Sequence, residues 1–472
     1  MVHLYMIRLY HNLMVQLDRA ARIVLALACA AQFMVVLDIS VVNVALPATQ
    51  RALDFDDDAL QWVVNAYALP FAGLLLLGGR LADLFGRKRV FLAGLILFTG
   101  ASLVGGLAAR AALLVAARAV QGIGAAVLAP ATLTVLTSTF PEGAERSRAL
   151  ALWTAVGVAG GTAGNLVGGV LTEFLSWRSI LLVNVPIGVA AIVLTVRSLA
   201  GHGHPAVRPR LDFAGAVLAT TGLIALAYGV DQARSAGWGA PVTLVPLGVA
   251  IVVLGGFVAV EAKVGAQSLF PLRLLRSRAI SVGNVMMLLA GACLNPMWFF
   301  LTLAMQDVLH YGPLKTGLGF LPHTLVTIAV AAWVTPWLMR RMDNRTLVAI
   351  GALLAAAGFL WQSRLVSGSD YLSGIFAPAV VFSLGGGLLN TPLTTTVTSG
   401  VDVADGGAAS GLMNTTKQIG GALGLAALVA FVGPANHGDA FLVIAAVMVA
   451  VALLAYALPA HRDARRVQCT KR

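Results

Sequence analysis

Hydrophobic and polar positions along this chain do not alternate at short period; they fall into long apolar runs cut by brief polar breaks. A bilayer-spanning helix needs about 20 mostly apolar residues. Fourteen such runs occur, near residues 22 to 47, 60 to 80, 90 to 109, 112 to 137, 149 to 171, 179 to 198, 213 to 231, 241 to 260, 280 to 304, 316 to 338, 346 to 364, 373 to 397, 406 to 431 and 439 to 458. The stretch Ala200 to Arg210, which ends in GHGHPAVRPR, divides six runs from eight, and a basic break from Leu272 to Arg278 precedes the last six. The expected organisation is a cytoplasmic segment 1–21, a six-helix bundle 22–198, a linker 199–212, two additional helices 213–260, a linker 261–279, a second six-helix bundle 280–458 and a basic tail 459–472. The fold class is all-α, a polytopic membrane protein.

Composition agrees with that pattern. Of 472 residues 59% are hydrophobic and 11% charged, too little polar surface for a soluble protein of several domains. A net charge of +12 would suggest a nucleic-acid partner in a soluble protein. Here the basic residues sit in short loops, where they set orientation instead. With both termini cytoplasmic, only Arg51, Arg110, Arg178, Arg234, Lys315 and Arg364 fall outside, Arg118 and Lys417 fall within runs, and every other Lys and Arg lies inside. That bias supports the even helix count and this orientation; the expected location is the plasma (inner) membrane, with the chain multi-pass. The acidic turn Asp54, Asp56, Asp57, Asp58 is external, whereas Asp402 and Asp405 form an acidic exception on the inner side. Cys29, Cys293 and Cys469 have neither disulfide nor metal spacing. No cleavage-site pattern precedes the first run, so no removable signal is expected, and Met14 is an alternative start.

Charge inside the apolar runs marks candidate chemistry. Asp38, in VVLDISVVNVALP, is the acid that falls well within a run. Placing an acid at a helix centre costs about 2.5–3.5 kcal/mol on insertion scales, and desolvation disfavours its charged form, which suits Asp38 to carrying a proton. The structural alternative is an acid near the outer interface that hydrogen-bonds a neighbouring helix. Arg118, followed by Gln121, is the matching cation; it never loses its proton, so it either biases a nearby carboxylate or holds backbone carbonyls. Asn43, Gln121, His323 and Lys417 are further polar positions that would line a cavity or join helices.

Two loops or helices stand out for glycine. GGRLADLFGRKR, Gly78 to Arg89, makes a tight turn through Gly79 and Gly86 and carries Asp83, Arg87 and Lys88; it is either a solvated basic turn or a latch in which Asp83 pairs with Arg87. Gly160, Gly164 and Gly168, spaced by four, put one glycine face on the fifth helix beside Asn165 and Gly169. Such a face permits close helix contact. LMRRMDNR, Leu338 to Arg345, holds the place of GGRLADLFGRKR in the second six, and the thirteenth run, Gly406 to Gly424, is glycine-rich like the fifth. The pattern is a weak internal repeat. No phosphate-binding loop, HExxH or GxSxG is present.

The loop Gly79, Leu81, Ala82, Asp83, Gly86, Arg87, Lys88 closely resembles the one between helices two and three of the major facilitator superfamily of secondary transporters. LDISVVNVALP, RAVQGIGAA and WRSILLVNVPIG resemble the first, fourth and sixth helix motifs of its fourteen-helix drug:proton antiporter branch. Asn165 stands where the branch's fifth-helix motif has proline, and Ser179 where an aromatic is usual. The resemblance implies a major facilitator fold, two six-helix bundles plus two central helices, and a monomeric exporter of hydrophobic or amphipathic drugs or antibiotics. Protons and the lipid bilayer would be its other partners, with no nucleic acid, cofactor or metal. It also implies proton coupling by Asp38 and Arg118, a cytoplasmic gate at Gly79, Asp83, Gly86, Arg87 and Lys88, and a moving seam on the fifth helix. A proton-coupled uptake permease, or a membrane-embedded enzyme or sensor, is the alternative.

Overall fold

The computed structural model describes residues 19–56, 59–140, 144–198, 213–264, 272–366, 368–398 and 406–459. They form fourteen long helical segments and no strand: α1 (Arg19–Leu53), α2 (Trp62–Phe85), α3 (Arg87–Gly106), α4 (Ala111–Thr139), α5 (Ala144–Phe174), α6 (Ser179–Ser198), α7 (Phe213–Ala236), α8 (Pro241–Val264), α9 (Arg278–Val308), α10 (Pro313–Met339), α11 (Asn344–Gln362), α12 (Leu372–Thr398), α13 (Gly406–Phe431) and α14 (His437–Ala455). Twelve of the described helices are long and apolar enough to cross a bilayer. The other two, α2 and α13, run for 24 and 26 residues. A helix satisfies its own backbone polar groups where no water is available, which is why apolar runs of this length fold this way in lipid.

The helices fall into two compact units, α1 to α6 in one and α7 to α14 in the other. Within the first, α1 packs on α4, α5 and α6, α4 on α2 and α3, and α3 on α6. The second repeats the scheme: α9 packs on α12, α13 and α14, α12 on α10 and α11, and α11 on α14. Glycine sets the register of both. A Cβ built on Gly160 would lie 3.0 Å from the Phe33 carbonyl oxygen, and one on Gly164 3.0 Å from that of Leu37. In the repeat, Gly420 and Gly424 abut the carbonyls of Leu288 and Ala292. The residue after Leu37 is Asp38; the residue after Ala292 is Cys293, buried with its thiol 3.7 Å from the Ile444 carbonyl of α14.

α7 and α8 pair through Gly222 against Leu254 and Gly229 against Leu247. Most of α8 stays uncovered, with Ile251 and Val252 each 73% exposed, as suits a helix whose neighbour is lipid. It continues past residue 260 to Val264, and Glu261, assigned by sequence to the following linker, is buried in its last turn. Three segments widen to π-helix, Ala304–Val308, Val330–Val334 and Leu372–Phe376, all in the second unit. Segment 1–18, the linker 199–212, Asp57, Asp58, Asp402, Asp405 and residues 460–472 lie outside the described residues.

Candidate functional site

Asp38 sits in the middle of α1 and is fully buried. Arg118 of α4, 2% exposed, donates from Nη1 to Asp38 Oδ2 at 2.5 Å and to Gln121 Oε1 at 2.8 Å. Its Nε donates to the Val63 carbonyl of α2 at 3.1 Å, and its guanidinium lies 4.4 Å over the Tyr67 ring. The second carboxylate oxygen, Oδ1, accepts from Gln121 Nε2 at 2.8 Å and from Asn184 Nδ2 of α6 at 2.9 Å. Both amides also donate to Ser102 Oγ of α3, at 3.1 and 3.2 Å, and Ser102 passes its own proton to the Leu181 carbonyl at 2.9 Å.

Five helices therefore close one neutral pair. The planar guanidinium serves three acceptors that no single-point cation would reach together. Asn184 Oδ1, both amide atoms of Asn65 and the Tyr67 hydroxyl have no partner among the described residues. Such unmet groups are costly in a static interior and mark places where a moved side chain finds a bond waiting. Asp38, Arg118 and Gln121 were legible as charge or amide in apolar runs. Asn184 was visible as part of WRSILLVNVPIG but not as a ligand to Asp38. Ser102 and Tyr67 carried no signal, because serine and tyrosine are ordinary within membrane helices.

The glycine face of α5 rests on the same turn of α1. A Cβ on Gly164 would be 2.6 Å from Ser40 Cβ, and one on Gly168 2.7 Å from the Val41 carbonyl oxygen. Gly169 is buried beside them. Asn165 is 2% exposed and its Oδ1 has no partner among the described residues. Asn43 turns back on α1, donating to the Ile39 carbonyl at 3.3 Å.

At the α2–α3 turn, Gly86 takes φ 86°, a left-handed conformation that glycine adopts without strain, so the chain reverses on a single residue. Gly79 faces Pro130 of α4 with room for ordinary contact. Lys88 reaches the end of α6, donating to the Val196 carbonyl at 3.1 Å, while Arg87 is exposed. The side chain of Asp83 lies outside the described residues.

The second unit has a different polar set. His323 of α10 shares a 2.6 Å bond between Nδ1 and Ser383 Oγ of α12, and its ring stands 4.8 Å from that of Trp298. Lys417 of α13 reaches Asn390 Oδ1 of α12 at 3.4 Å. Among the described residues no group of three or more His, Cys, Asp or Glu is placed to hold a metal.

Residues 28–425 match the Major Facilitator Superfamily. The chain is 55% identical, over 92% of both proteins, to the cephamycin export protein CmcT of Amycolatopsis lactamdurans. It is 40% identical to the puromycin resistance protein pur8 of Streptomyces alboniger, covering 86% of this chain and 80% of that one. Its fold matches the crystal structure of the POT family transporter PepTSo with TM-score 0.72 over 96% of this chain and 99% of that chain, at 14% identity. The family match over residues 28–425 and these relatives make the chain a member of the Major Facilitator Superfamily, a membrane transporter rather than an enzyme.

Proposed function

We propose that this transporter exports a hydrophobic or amphipathic antibiotic in exchange for entering protons, by alternating access, from the plasma membrane. All fourteen helices would cross, both termini would be cytoplasmic, and the monomer would be the working unit. Relatives that are antibiotic exporters and resistance proteins support drug efflux, and the cephamycin exporter makes a compound of that kind the first substrate to try.

The observation that carries proton exchange is the sealed Asp38–Arg118 pair. As a pair it is neutral and satisfied. Protonation of Asp38 would leave a buried guanidinium without its anion, and breaking such a pair costs about 3–5 kcal/mol. A proton on Asp38 thus destabilises the arrangement in which Arg118, Gln121 and Asn184 converge, and favours one in which Arg118 finds other acceptors. Since α5 seats its glycines on that turn of α1, a shift of α1 would pass to α5 without intervening side chains. In this reading the α2–α3 turn gates the cytoplasmic side through Gly79, Asp83, Gly86, Arg87 and Lys88, and Gly160, Gly164, Asn165, Gly168 and Gly169 form the seam on which α1 slides.

Inverted membrane vesicles acidified inside provide the test. They should accumulate the antibiotic on imposing the gradient and stop when it collapses. Accumulation in right-side-out vesicles under an inward proton gradient would make the protein an uptake permease instead.

A further inference from the structure

α12 carries two polar partners seven residues apart, Ser383 and Asn390. At 1.5 Å per residue and 3.6 residues per turn, they lie on one stripe about 10 Å apart. Each is engaged by a side chain from another helix of the second unit, and each of those side chains retains unused capacity.

Lys417 has three donors, and among the described residues its only polar partner is the neutral Asn390 oxygen, at 3.4 Å. That amide has its own Nδ2 spent on the Gly386 carbonyl at 3.1 Å, so Asn390 is fixed with its oxygen toward the ammonium. Lys417 is part-exposed, unlike the sealed Arg118, and no carboxylate answers it among the described residues. Near the other end, the Ser383 hydroxyl donates to the Ala379 carbonyl. Its oxygen is therefore left to accept from His323, which places the proton on Nδ1 and leaves Nε2 as a bare acceptor. Trp298 stands edge-on beside the ring.

We propose that Lys417 and His323 form a substrate subsite for an amphiphile that carries a carboxylate, or another single anionic group, at one end and a hydrogen-bond donor on an aromatic or heterocyclic body at the other. Lys417 takes the anion in a charge-assisted bond, His323 Nε2 accepts from the donor, and Trp298 supplies a flat apolar wall. A cation within a membrane helix that has no carboxylate partner is costly to keep, and a ligand anion supplies what the described residues do not. This assignment rests on the reading of the chain as a small-molecule exporter and names the class of compound it selects.

The test pairs a β-lactam carboxylate with its methyl ester. Binding to the purified protein in detergent is followed by tryptophan quenching, and proton-driven flux in inverted vesicles is followed in parallel. The wild type should prefer the acid. Lys417→Gln should weaken the acid about 10- to 100-fold, the loss of one charge-assisted bond, and change the ester less than threefold. Lys417→Arg should keep most of the preference, and His323→Phe should weaken both compounds. Equal effects of Lys417→Gln on acid and ester, or no effect on either, would overturn the subsite. A wild type that binds the acid selectively but shows no proton-driven flux would leave the subsite standing and remove the exporter reading.

Discussion

Asp38 and Arg118 neutralise each other in a place where neither is tolerated alone, and the consequences of separating them differ from those of removing both. Asp38→Asn should abolish proton-driven transport and also lower stability, by about 3 kcal/mol, because the guanidinium loses its anion. The double variant Asp38→Asn with Arg118→Gln should recover much of the melting temperature in detergent but none of the transport. Recovery of transport would remove Asp38 from proton carriage. Ser102→Ala tests the outer ring of the network: it strips a shared acceptor from Gln121 and Asn184 and a donor from Leu181. Flux should fall about tenfold, with a stability loss of about 1–3 kcal/mol. At this scale the sequence displayed what is expensive. An acid, an arginine and a glutamine among leucines and alanines cannot be bland, whereas Ser102 and Tyr67 cost little anywhere in a bundle and so could be found only from their neighbours.

Helices were legible because the apolar run is their cause, and their ends were not, because beyond the hydrocarbon the same helix continues at no penalty. Thus α1 runs on from the expected end near residue 47 to Leu53, and α5 begins at Ala144, ahead of its apolar run. The π-segments of α9, α10 and α12 leave no mark in hydropathy at all. The glycines of α5 spaced by four, Gly160, Gly164 and Gly168, lie against the backbone of α1. Gly164→Ala should displace α1 through Ser40 Cβ and the Leu37 carbonyl, with overpacking of about 1–3 kcal/mol and loss of flux. Gly161→Ala should be tolerated, since its added methyl would meet Val36 at an ordinary 3.5 Å. Equal outcomes for the two, measured as melting temperature and vesicle flux, would detach the seam from the proton site. Asn165→Ala should cost little stability, because the buried Oδ1 it removes has no described partner, so a loss of flux at unchanged melting temperature would report its part in the seam.

For the molecule as a whole, the break at residues 200 to 210 lies between α6 and α7, where one compact unit gives way to the other, but the quality of the internal repeat was hidden. Sequence compared a glycine-rich helix with another; the packing scheme shared by α1–α6 and α9–α14 depends on which helix meets which, and composition does not encode that. Topology is open to direct measurement. Single cysteines at Asp56 and Asp439, both exposed, should react with an impermeant maleimide in intact cells, and one at Arg340 only after permeabilisation. External labelling at Arg340 would overturn the proposed orientation.

Where the first repeat places Asp38, the register of the second places Cys293, so the duplicated scaffold carries a carboxylate at this position once. If Asp38 is the carrier and takes one proton per cycle, the membrane voltage enters the energetics through the charge on the exported compound. Exchanging a neutral compound for one proton moves a single charge inward. Sending out a monoanion against one proton moves the equivalent of two, worth about 4.6 kcal/mol at 100 mV, or an outward gradient of about 2,000-fold. With pH equal on both sides and a potassium diffusion potential imposed, the acid of the β-lactam pair should therefore respond to voltage twice as steeply as its ester, and Cys293→Ser should leave both slopes unchanged.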